Sequence, residues 1–164
     1  MEHDPPTVVH AHSAVEMVAI GRVLASVMPA GIPIALVGDM GAGKTQFCKG
    51  LALGVGVSDA DAVTSPTFTI HHPHCGTRTF HHIDLHRITT PSEIPQEVFD
   101  ALDDPAALTA VEWADRFWHI WPKRLLVVTI AHKSADERVL SFYARGFDGS
   151  TLLQEMCAKM AARR

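Results

Sequence analysis

The sequence predicts a three-layer α/β sandwich with a mixed central sheet, and three observations carry that expectation. Strand-like and helix-like patterns interleave through the first two-thirds of the chain, the arrangement that stacks helices on both faces of a sheet. A short apolar strand pattern, Ile32–Val37, runs directly into Gly38-Asp39-Met40-Gly41-Ala42-Gly43-Lys44-Thr45 and then into a helical pattern. Two segments rich in β-branched and aromatic residues, Thr67–His72 and Arg78–Leu85, flank Pro73-His74-Cys75-Gly76-Thr77, a plausible hairpin loop that makes the sheet mixed. The 164 residues suit one domain, 1–164. With 47% apolar and 20% charged residues, the composition is that of a globular chain able to bury a continuous core.

Taken in order, Ser13 and Glu16 have capping-box spacing, and Val15, Val18, Ala19, Val23 and Val27 recur at helical intervals. A helix is therefore expected from Ser13 to Met28, stopped by Pro29. Ile32–Val37 reads as a buried strand. The next helix should run from Gly43 to about Gly54, with Gly50 as its only internal breaker. Ser92–Leu102 reads as a helix with Pro95 near its start, where a missing amide does no harm. Leu108–Trp113, Arg124–Ala131 and Arg138–Tyr143 are expected strands, and Ser150–Ala162 a closing helix.

The composition excludes several roles. No uncharged apolar run approaches the roughly 20 residues of a membrane span, and the first residues lack the basic flank and apolar stretch of a secretory signal. Cys48, Cys75 and Cys157 form no CxxC pair, so the expected compartment is the reducing cytoplasm. A net charge of −4 argues against unaided nucleic-acid binding.

Gly38–Thr45 satisfies GxxxxGK[ST] with a strand before it and a helix after it. Glycines let successive amides curl inward toward phosphate oxygens, and the helix start adds its positive dipole end. Lys44 would meet the β- and γ-phosphates, and Thr45 would place a hydroxyl on Mg²⁺. A nucleoside triphosphate site is thus expected. Neither NKxD nor DxxG occurs, which favours ATP over GTP. Phosphoryl transfer also needs a carboxylate for the metal shell and a group to orient water. Asp84 and Glu112, each at the end of an apolar strand pattern, are the candidates, because ligands collect outside the carboxyl ends of such strands.

Four blocks in order, Gly38–Thr45, Ser65-Pro66-Thr67-Phe68-Thr69, His82-Ile83-Asp84-Leu85-His86-Arg87 and Glu112-Trp113, resemble the GDLGAGKT, SPT[FY]T, HFDLYR and EW signatures of the TsaE (YjeE) family of tRNA threonylcarbamoyladenosine biosynthesis ATPases. The resemblance covers about 13–143 as the core. It implies a P-loop NTPase-like fold, ATP and Mg²⁺ as cofactors, and weak ATPase activity alone. It also implies TsaD and TsaB as partners, which would hold the tRNA so that this chain meets it only indirectly. Transferred by position, Lys44, Asp84 and Glu112 are the catalytic candidates, and Thr45, Asp84 and Glu112 the magnesium ligands. ATP contacts fall on Asp39, Met40, Gly41, Ala42, Gly43, Lys44, Thr45 and Gln46, with Arg138 a candidate near the adenine by analogy. Thr67 and Thr69 match a segment resembling a switch over the γ-phosphate. His86 stands where the family usually has tyrosine, and Ala114 where proline is frequent.

The eleven histidines are many for this length, and His71, His72, His74, His81, His82 and His86 form a cluster. Paired zinc-ligand spacings are absent. His71 and His72 point to opposite faces of a strand, so surface imidazoles are the expectation for the hairpin. Two other function classes compete. A small-molecule P-loop kinase would need a lid of clustered arginines, whereas Arg87, Arg116 and Arg138 are dispersed. A nucleotide-dependent binding switch would dock in response to ATP with hydrolysis incidental.

Overall fold

The computed structural model describes residues 5–64 and 69–163. Seven strands form one sheet in the order β1-β7-β6-β2-β5-β4-β3. Its centre is four parallel strands, β6 (Leu125–His132), β2 (Ile34–Val37), β5 (Leu108–Glu112) and β4 (Phe80–Asp84). Antiparallel strands close both sides, β3 (His71–His74) against β4, and β7 (Arg138–Arg145) followed by β1 (Thr7–Ala11) beyond β6. The mixed sheet expected from the hairpin is present.

Strand alternation divides the core in two. Ile34, Leu36, Phe80, Leu108 and Ala110 face α1 (Ala14–Val27), α2 (Lys44–Gly54) and α4 (Ser150–Ala161) in one cluster. Ala35, Ile83 and Val111 face α3 (Gln96–Leu102) and the 3₁₀ segment Ala114–Ile120 in the other. These are the two outer layers of the sandwich. Among the described residues, no helix is long and apolar enough to cross a membrane.

The helix signals act as their chemistry dictates. Ser13 caps α1, its hydroxyl accepting the Glu16 amide at 3.1 Å, while the Glu16 carboxylate accepts the amide of His12 at 2.9 Å. At the other end, α1 has no basic residue in its last turn, and Arg78 from the hairpin supplies one by donating to the carbonyls of Met28 and Ala25. The glycines of α1 and α2 let the helices meet closely. A Cβ on Gly50 would collide with the Val18 carbonyl and stand 2.9 Å from the Arg22 nitrogen, and one on Gly21 would strike the backbone at Phe47.

Four expectations shift. The helix expected over Ser92–Leu102 is a 3₁₀ turn at Pro91–Glu93 followed by α3 from Gln96, with extended Pro95 as its N-cap. β1 lies in a segment with no predicted element. The hairpin is displaced, because β3 begins at His71 and runs through Pro73 to His74, where a loop was expected. Pro73 is tolerated because β3 is an edge strand and one side of its backbone has no ladder to join. His74 is buried at 8% exposure instead of lying on the surface. His71 and His72 do diverge: His71 Nε2 is 2.9 Å from His81 Nδ1 on one face, while the His72 ring packs tilted against His74 on the other, centroids 4.5 Å apart.

Candidate functional site

The chain leaves β2 at Val37 and turns through a loop in which Gly41 (φ 75°) and Gly43 (φ 105°) take left-handed backbone conformations that a side chain would strain. Gly43 is the N-cap of α2, so the unpaired first amides of that helix open onto the loop. The cleft above has a volume of about 440 Å³ and is bordered by Met40, Gly41, Gly43, Thr45 and Gln46 on the loop side. Asp84, His86, Glu112 and Trp113 close the opposite side. Both walls meet because β5 pairs in parallel with β2 and β4, and the register sets Asp84 directly beside Glu112 at the carboxyl ends.

Lys44 is buried, and its ammonium donates to the carbonyls of Gly38 at 2.7 Å and Asp39 at 2.9 Å. It also stands 3.9 Å over the Trp113 ring, a cation–π contact. Burial pushes the Lys44 pKa below its ordinary value, against the opposing pull of Glu112 and Asp84. Trp113 reaches this position by a sharp turn at the end of β5, being the one non-glycine residue described with positive φ (60°). His86 packs on the far side of the site against the same ring, centroids 5.3 Å apart.

The acidic centre is Glu112, 2% exposed. Its Oε1 accepts the Thr45 hydroxyl at 2.9 Å and lies 2.8 Å from His82 Nε2. Asp84 accepts the His86 amide at 2.9 Å through Oδ1, which folds the chain back over the strand end. Arg116 braces that turn by donating to the carbonyls of Leu85 and His86. A hydroxyl and two carboxylates, all hard oxygen donors, suit Mg²⁺ and not a soft metal. The same geometry fits a polyphosphate: left-handed glycines, a helix start and a lysine that, among the described residues, meets loop carbonyls and a ring face.

Among the described residues, Cys48, His82 and Glu112 bring a thiol, an imidazole nitrogen and a carboxylate oxygen within 4.8 Å of one another. These groups hydrogen-bond one another: His82 Nε2 lies 2.8 Å from Glu112, the Cys48 thiol bonds the same carboxylate, and burial together with the neighbouring carboxylates pushes that thiol well up.

Most of the residues singled out in the sequence converge here: Met40, Gly41, Gly43, Lys44, Thr45, Gln46, Asp84 and Glu112 all border the cleft. Asp39 contributes its carbonyl to Lys44, and Ala42 is buried beneath the loop. Arg138 is not brought in; its guanidinium bonds the carbonyls of Ser134, Ala135 and Glu137 in the β6–β7 turn. Thr67 lies outside the described residues, while Thr69 is exposed just before Ile70, whose carbonyl receives the Asp84 amide at 2.9 Å. His82 falls within the Asp84 motif but was given no role in the site. The signal was strand alternation, because His82 and Asp84 share a face of β4.

Comparison with known proteins gives a consistent result. The family model "Threonylcarbamoyl adenosine biosynthesis protein TsaE" matches residues 11–140. The tRNA threonylcarbamoyladenosine biosynthesis protein TsaE of Bacillus subtilis is 34% identical over 142 residues, covering 86% of this chain and 87% of the relative. Its counterpart in Synechocystis is 39% identical over 100 residues, a match spanning 58% of this chain and 62% of that protein. The crystal structure of YdiB from Bacillus subtilis superposes with a TM-score of 0.73 at 26% identity, covering 99% of both chains.

Proposed function

The chain belongs to the TsaE family of threonylcarbamoyl adenosine biosynthesis proteins, and from that premise we propose that it is the Mg-ATP-hydrolysing accessory protein of this tRNA modification, acting with TsaD and TsaB. The observation that carries the reading is the hydrogen bond from Thr45 to Glu112, which joins the start of the phosphate-loop helix to the end of the neighbouring strand beside Lys44.

In this reading the loop amides and Lys44 grip the phosphates, and Lys44 exchanges its loop carbonyls for phosphate oxygens. Thr45, Glu112 and Asp84 would hold Mg²⁺, which when bound would supply charge neutralisation to the phosphates. Glu112 accepts the Thr45 hydroxyl, and Asp84 stands beside it to complete the shell or to orient water. The net charge of −4 suits a division of labour in which the partners hold the tRNA.

The kinase alternative finds no support in the arginines. Arg116 is committed to the turn after Asp84 and Arg138 to its own hairpin. The test is ATP turnover with and without TsaD–TsaB. Stimulation by the partners is expected. Docking that requires ATP but not its cleavage would instead favour a binding switch, and phosphate appearing on a small acceptor would favour a kinase.

A further inference from the structure

We propose that His82 is a positioning residue that fixes the Glu112 carboxylate in the orientation from which it meets Thr45 and the divalent cation. The proposal rests on the Mg-ATP reading above and assigns a residue which that reading leaves unused.

His82 is fully buried on β4, and its Nε2 contacts the same Glu112 oxygen that accepts the Thr45 hydroxyl, at 2.8 Å and 2.9 Å. One carboxylate oxygen is thereby held from two elements, the helix after the phosphate loop and the strand next to β5. The ring cannot easily swing away. It stacks on Phe80 with centroids 6.2 Å apart and planes 15° apart, and Phe80 stacks in turn on His74.

The proton position follows from the other ring nitrogen. His82 Nδ1 is buried with no hydrogen-bond partner among the described residues. A neutral ring protonated on Nε2 donates to Glu112 and leaves only a lone pair at Nδ1. The opposite tautomer would aim a lone pair at a carboxylate oxygen and bury an unpaired N–H, so of the two tautomers the Nε2–H form fits the geometry. Without that donor, Glu112 loses its hold from β4, keeps the Thr45 hydroxyl and the Cys48 thiol, both on α2, and regains freedom about its own side-chain torsions. Loss of such outer-shell partners typically costs on the order of 10–100-fold in metal affinity or activity.

Two variants and one spectrum test this. His82→Phe keeps the ring and its stacking on Phe80 but removes the donor, and His82→Gln restores an N–H of similar reach. Mn²⁺ binding in the presence of ADP, read by the resonance of the free ion, reports the metal shell without turnover. His82→Phe should bind ADP in chelator as the unaltered protein does, yet weaken Mn²⁺ roughly 10–100-fold and lower kcat in parallel. His82→Gln should recover to within about threefold of the unaltered protein, a rescue that a purely structural role would not produce. In the unaltered protein, imidazole ¹⁵N shifts should show His82 protonated on Nε2. Unchanged Mn²⁺ affinity in folded His82→Phe, a Gln variant no better than Phe, or an Nδ1–H tautomer would each overturn the proposal. If His82→Phe does not fold, the Gln variant and the spectrum decide. Failure of the unaltered protein to bind Mn²⁺ with ADP would overturn the Mg-ATP reading itself.

Discussion

Glu112 Oε1 is where the phosphate loop and the strand ends touch, since it accepts Thr45 from α2 and contacts His82 on β4. Glu112→Gln keeps the shape but loses the charge, and should leave ATP binding in chelator intact while lowering turnover by roughly a hundredfold, measured by phosphate release. Lys44→Ala should remove measurable ATP binding, because a charge-assisted bond is worth about 3 kcal/mol, or about a hundredfold in affinity. At this scale the sequence was informative wherever chemistry is written into spacing. GxxxxGK[ST] locates Lys44 and Thr45, and an acid at the end of an apolar strand locates Asp84 and Glu112. It was silent where the partner depends on which strands are neighbours. His82 meets Glu112 only because β4 and β5 pair in parallel with Asp84 beside Glu112, and the linear sequence does not state that register.

Elements were legible in type more than in extent. The α2 helix was expected with Gly50 as a blemish. The structure gives the blemish a purpose, since α1 crosses there at a distance that excludes a side chain. Gly50→Ala gains about 1 kcal/mol of helix propensity but forces a methyl group into another helix's backbone, which cannot rotate aside. The clash should win by about 2 kcal/mol and lower Tm by about 5 °C in a calorimetric scan. The hairpin was misplaced because Pro73 reads as a loop, whereas an edge strand accommodates it. β1 escaped notice as a five-residue edge strand with only Val9 and Ala11 buried. The hairpin also carries a pH dependence. Burial, with the charge of His72 acting in the same direction, lowers the His74 pKa from 6.5 to about 4. The unfolded chain then binds a proton between pH 6.5 and 4 that the folded chain refuses, so stability present above pH 6.5 is lost as pH falls through that window. The loss should reach roughly 2–3 kcal/mol. Denaturant midpoints for the unaltered protein and His74→Phe should diverge on acidification, the Phe variant losing less.

For the molecule as a whole, the alternation of patterns was enough for the three-layer architecture because each face of a sheet must be covered. It was not enough for the strand order, which depends on crossovers between distant segments. The architecture gathers one functional edge: the carboxyl ends of β2, β4 and β5 converge on a single cleft. A ligand bound there ties the loop of one element to the ends of two others. Saturating Mg-ATP at about a hundred times its dissociation constant should therefore stabilise the folded chain by about 2.7 kcal/mol, raising Tm, whereas Lys44→Ala should show no shift.

Calorimetric titration of ATP into the purified chain, with Mg²⁺ and with chelator, for the unaltered protein, Lys44→Ala and Glu112→Gln, tests the central claim most directly. One site per chain is expected, tighter with Mg²⁺ than without, lost in Lys44→Ala and stripped of its Mg²⁺ dependence in Glu112→Gln. ATP binding of equal strength in all three proteins, or none in the unaltered one, would contradict it.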